Sequence, residues 1–114
     1  MSTNHVDELK NLQKLSSELG KGSPGVMRAF GSLHHEAMAD GEISLKTKEI
    51  IAVGISITIR CTGCIQSHVK AALDAGVTPE EMREVISVAI MMAGGPGTAY
   101  GALALEAMNQ YLAE

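Results

Sequence analysis

Three residues in the middle of this chain have the types and spacing from which thiol redox chemistry is built: Cys61, Cys64 and, four positions later, His68. The thiolate is the nucleophile in thiol–disulfide exchange, and a helix N-terminus favours it through its free N–H groups and the helix dipole. A second thiol three positions away can capture a mixed disulfide or a sulfenic acid, so the pair can cycle. Residues four apart on a helix share a face. His68 would then take the Cys64 proton and hold the resulting thiolate, the usual logic of an activated nucleophile. On this reading Cys64 ionises more readily than a free thiol.

Other uses of the same residues stay open. A Cys-x2-Cys pair supplies half of a tetrahedral zinc site, with His68 as a third ligand. A strong zinc reading needs a second pair, and only His5, His34 and His35 remain. Both thiols could instead be inert and buried, since Cys is among the most buried residue types. A structural staple is disfavoured, because so small a loop gains little from closure. His34 and His35 diverge by about 100° on a helix, so at most one can face the site and the pair reads as one surface and one semi-buried residue. The seven Met read as core filler. The glycine-rich run Gly94–Gly97 lacks the strand and Lys of a phosphate-binding loop, and neither a cofactor motif nor a metal set stands out.

Helical signals place these groups. Leu9, Leu12, Leu15 and Leu19 form the apolar stripe of a first helix over Asp7–Leu19 that Gly20 ends. Ser23 and Pro24 start a second helix running to about Asp40, with Val26, Phe30, Leu33 and Ala37 facing a core and Gly41 as the stop. Ser44 can cap a third helix from Leu45. Within it, Ile51, Val53, Ile55, Ile57 and Ile59 alternate with smaller residues, which is the pattern of a half-buried strand. A helix there must accept Gly54 and many β-branched residues. The span Gly63–Ala75 is helical and stopped by Gly76. Thr78-Pro79-Glu80-Glu81 then opens the next helix with a cap, a proline and a capping-box glutamate. The Gly94–Gly97 run breaks that helix, and a last one follows over about Thr98–Leu112, with Ala and Gly on its early turns permitting close backbone approach.

At 114 residues the chain fits one domain. It is 46% hydrophobic yet has only Phe30, Tyr100 and Tyr111 as aromatics, which suits closely packed helices. A net charge of −4 without a basic stripe argues against nucleic acid as a partner. Residues 1–21 have no apolar signal region, and the apolar runs at 50–59 and 85–93 are too short to span a bilayer. A cytoplasmic protein is expected, and in that compartment a cysteine pair is seldom structural.

Glu49, eleven residues, Cys61-Thr-Gly-Cys64 and Ile65-Gln-Ser-His68 together resemble the Glu-x11-Cys-x2-Cys-x3-His signature of the carboxymuconolactone decarboxylase and alkylhydroperoxidase D superfamily. The flanks Gly41–Glu49 and Gly76–Glu81 agree with it, and the resemblance spans about Phe30–Leu112. It implies an all-α bundle of about six helices, one domain over 1–114, and therefore a buried helix at Ile50–Ile59. It also implies roles: Glu49 relays a proton through His68, Cys64 attacks, and Cys61 closes the disulfide. The expected activity is that of a disulfide reductase or weak hydroperoxide reductase. Its substrate is a peroxide or a disulfide, and a thiol reductant such as a lipoyl-type dithiol restores the pair. Trimers or hexamers are the expected assembly. Some peroxidase members carry a His where this chain has Gly63. The true decarboxylases generally lack the Cys pair, which counts against lactone decarboxylation, the alternative enzyme reading. A non-enzymatic alternative is an oligomer switched by the redox state of its cysteines.

Overall fold

A computed structural model describes residues 3–114. They form α1 (His5–Gly22), α2 (Pro24–Met38), α3 (Leu45–Thr58), α4 (Thr62–Asp74), α5 (Pro79–Ala93) and α6 (Gly95–Leu112), with no strand among the described residues. The all-α bundle of six helices is as the resemblance implied.

Most boundaries follow capping chemistry. Ser44 Oγ accepts the Thr47 N–H at 3.2 Å, and Thr78 and Glu81 form a reciprocal capping box. The Thr78 N–H donating to Glu81, together with Lys46 at 3.1 Å, holds that carboxyl below its ordinary range. Two glycine stops fail. Gly20 lies inside α1, and α2 ends at Met38 before Gly41 is reached. The glycine-rich run interrupts the chain at one residue only, Gly94, whose φ of 70° is costly for any side chain. Gly95 to Gly97 already belong to α6.

The strand pattern at Ile50–Ile59 is overturned. Val53 and Ile57 point into the core with Glu49 and Ser56, while Ile51, Ile55 and Ile59 point outward. Two apolar sets, each with a four-residue spacing and offset by two, look like a period of two in sequence. The helix is also not buried all round, since Ile55 stays 53% exposed.

The core is built from α3 to α6. Val53 and Ile57 meet Ile65, Val69 and Ala72 of α4, Met82 and Ile86 of α5, and Ala104 and Met108 of α6. The α1–α2 hairpin lies outside it. Of the leucine stripe only Leu9 is buried, and no residue of α2 is. Phe30 is 62% exposed and Leu33 63%, so the expected inward stripe of α2 faces out. The reason is steric economy: α3 to α6 close the core among themselves, and no described element buries the apolar stripe of α2. An open apolar groove of about 720 Å³ also runs between α3 and α5, lined by Ile51, Ile55, Val85, Val88 and Met92.

The close approach expected for α6 is present. A Cβ on Gly97 would lie 3.0 Å from the Ile90 Cα and 3.1 Å from the Ala89 carbonyl oxygen, backbone atoms that cannot rotate away. Gly97→Ala is therefore expected to lower unfolding free energy by about 1–3 kcal/mol, the usual cost of overpacking, in a urea titration.

Candidate active site

The site is set by how α3 ends. The Arg60 N–H donates to the Ile57 carbonyl at 3.1 Å and the Cys61 N–H to the Ser56 carbonyl at 3.1 Å. These are the two bonds of a Schellman ending, with Arg60 at φ 58° where glycine is usual, at a cost of about 1–2 kcal/mol. Cys61 then begins α4 as its N-cap. Its carbonyl accepts the Ile65 N–H at 2.9 Å and its Sγ accepts the Cys64 N–H at 3.2 Å. One residue thus finishes one helix and opens the next. Cys61 and Cys64 are joined as a disulfide across the first turn of α4, with Cα atoms 5.2 Å apart.

His68 lies one turn beyond Cys64 on α4. Its Nδ1 is 2.7 Å from Glu49 Oε1 on α3. The carboxylate side chain is only 6% exposed, whereas the imidazole is 21% exposed. A buried carboxylate needs a hydrogen-bonded partner, and His68 supplies it. In return Glu49 fixes one edge of the ring and favours a proton on Nδ1, leaving Nε2 as the free acceptor. Glu49, Cys61, Cys64 and His68 are therefore carried by the α3–α4 hairpin, the two helices that share the core.

Of the adjacent histidines, both are exposed and neither is semi-buried. His34 nevertheless reaches the site: its ring stacks on that of His68 with centroids 6.1 Å apart and planes inclined by 24°. Leu12 of α1 lies against the cysteine turn. A Cβ at Gly63 would lie 2.8 Å from Leu12 Cδ2. Of the two residues between the cysteines, Gly63 is the one that faces α1, and a side chain there displaces the end of Leu12.

A buried polar cluster beside the site escaped sequence reasoning. His5 is fully enclosed, with Nε2 2.7 Å from Glu106 Oε1 and Nδ1 2.8 Å from Gln66 Nε2. Gln66 also donates to Glu8 Oε2 at 2.7 Å, and the His5 N–H donates to Gln110 Oε1 at 2.6 Å. This network ties the start of α1 to α4 and α6. The available signal was Gln66 itself, a polar residue between Ile65 and Val69 on the inward face of α4.

The family profile described as "Carboxymuconolactone decarboxylase family" matches residues 24–107. The chain belongs to this family. A carboxymuconolactone decarboxylase family protein from Legionella pneumophila, solved in its apo form, is 34% identical with a TM-score of 0.92, covering 96% of this chain and 98% of that one. An uncharacterized protein of Cupriavidus necator is 33% identical over 92% of this chain and 93% of its own length. Uncharacterized protein 4 in the cox locus of Paracoccus denitrificans is 34% identical over 88% and 93% respectively. A Thermotoga maritima family member, described as a possible participant in the antioxidative response, shares the fold at a TM-score of 0.82 and 21% identity over 97% and 92%. The family profile begins at the first turn of α2, so α1, with His5 and Glu8 of the polar cluster, lies ahead of the matched region, whereas Gln66 and Glu106 lie within it.

The contact between Leu12 and Gly63 makes a double-mutant prediction. Gly63→Ala is expected to be about 0.5 kcal/mol less favourable in the wild type than in a Leu12→Ala background, because in the wild type Leu12 must move aside. Urea denaturation of the four variants gives the coupling energy.

Proposed function

We propose that this family member is an alkylhydroperoxidase D-like thiol–disulfide oxidoreductase that reduces a peroxide or a disulfide. The observation that carries this reading is a cysteine pair at a helix start with a Glu49-oriented imidazole one turn along the same helix. Cys64 is the attacking thiol. Its proton passes to His68, whose imidazolium is stabilised by the buried Glu49 carboxylate. With a hydroperoxide, the Cys64 thiolate attacks the distal oxygen and becomes a sulfenic acid, and the alkoxide leaves as an alcohol after taking a proton. The Cys61 thiolate then attacks that sulfur, forming the disulfide and releasing water once protonated. With a disulfide substrate, Cys64 forms the mixed disulfide and Cys61 displaces the second thiolate.

The contact from the Cys64 N–H to the Cys61 sulfur suits this division of labour. A hydrogen bond to an ionised acceptor is the stronger kind, so the helix start supports negative charge on Cys61 whenever it must leave or resolve. An external dithiol of the lipoyl type closes the cycle: it attacks Cys64, expels the Cys61 thiolate, and departs as its own disulfide. The protein works as a homo-oligomer, trimeric or hexameric, in the cytoplasm. The support for assembly is the unpartnered apolar stripe of α2 together with the groove between α3 and α5.

Two measurements test the reading. In a steady-state assay of peroxide consumption with a dithiol reductant, Cys64→Ser is expected to abolish turnover, and Glu49→Gln to lower it by about 10- to 100-fold. Turnover in Cys64→Ser equal to wild type removes the proposal. In the reduced protein, alkylation of Cys64 followed against pH is expected to show a midpoint below the value of about 8.5 for an unperturbed thiol.

A further inference from the structure

His34 has a place at the site that the Glu-Cys-Cys-His signature does not give it. The hydrogen bond to Glu49 restrains His68 at one edge only. A planar ring held by one edge can still tilt about that bond, and tilting swings Nε2, the atom that must meet the thiol. The face of His68 is where a second restraint would act, and the His34 ring lies there. The separation of 6.1 Å and inclination of 24° fall within the range of stacked aromatic pairs.

The placement of His34 is itself anchored. Lys48, the neighbour of Glu49 on α3, donates from Nζ to the carbonyls of Ala37 at 3.0 Å and Ala39 at 2.6 Å. The end of α2, one turn beyond His34, is therefore tied to the same stretch of α3 that holds His68. Adjacent residues Lys48 and Glu49 fix the two stacked rings relative to each other, one through the backbone of α2 and one through the imidazole of His68.

We propose that His34 is a positioning residue for His68: its ring packs on the face of the imidazole and holds the tilt that Glu49 leaves free. The proposal rests on the redox reading of the site. Its requirement is an aromatic face rather than a titrating nitrogen, so phenylalanine should substitute and alanine should not.

The test compares wild type, His34→Ala and His34→Phe in the peroxide assay with a dithiol reductant, with Cys64→Ser as the control for thiol chemistry. Side-chain NMR of His68 is recorded on the same proteins. His34→Ala is expected to lower kcat by about tenfold, as misplacement of a reacting group does, with KM for the reductant unchanged. His34→Phe is expected to restore at least half of the wild-type kcat. The His68 ring protons should carry an upfield ring-current shift in wild type and His34→Phe that is lost in His34→Ala. A kcat in His34→Ala equal to wild type overturns the proposal, as does a His34→Phe protein no better than the alanine variant. If Cys64→Ser matches wild type, the redox reading fails instead. The ring-current comparison then still decides whether His34 packs on His68, and an unchanged shift in His34→Ala overturns that contact.

Discussion

The geometry of the site depends on a single residue serving two helices. Cys61 completes the Schellman ending of α3 with its N–H and caps α4 with its carbonyl and sulfur. With only residues 59–61 between the helices, the direction of α4 relative to α3 is fixed at the cysteine pair. Arg60 accepts a left-handed backbone conformation immediately before it. Strain of this kind persists only where the surroundings over-determine it, and it commonly accompanies function. From that junction outward, the shared core of α3 and α4 carries Glu49 to His68.

Both outer helices touch this hairpin, α1 at α4 and α2 at α3. The His5 and Gln66 cluster anchors the start of α1, and Leu12, two turns later, sits on Gly63. The second outer helix, α2, is tied by Lys48 and brings His34 to His68. Neither outer helix contributes much to the core, so their roles are to cover and to orient. Their apolar residues are left in solvent by this chain, a larger exposed apolar face than a monomer usually keeps.

Much of this was legible in the sequence because it is local. Ser44, Thr78 with Glu81, and the Cys61–Cys64 turn depend on residues three or four apart, and each behaves as its spacing predicts. The site required more: nothing local connects Glu49 with His68, and only the resemblance to a family signature joined them. Hydrophobic periodicity found the helices but misjudged where they face. The stripes of α1 and α2 are amphipathic, and an amphipathic stripe reports that something covers it without saying whether the cover belongs to the same chain. At α3, two apolar stripes on one helix imitated a strand. Adjacency dictates that at most one of His34 and His35 can face the site, but which one does so, and its stacking on His68, depend on the tertiary placement of α2.

In the proposed reaction, the sulfur that caps α4 is also one of the two that change oxidation state. In the disulfide it is a weak, neutral acceptor for the Cys64 N–H, and as a thiolate it becomes a strong, charged one. The helix start therefore contributes more to the reduced form than to the oxidised form. Such a difference raises the reduction potential of the couple, by about 30 mV for each 1.4 kcal/mol. Capping and electron affinity are in this way one property. The first turn of α4 would then make the disulfide a readier electron acceptor than the same cysteine pair in an unstructured loop, and a change that frays that turn would move the potential without touching either cysteine.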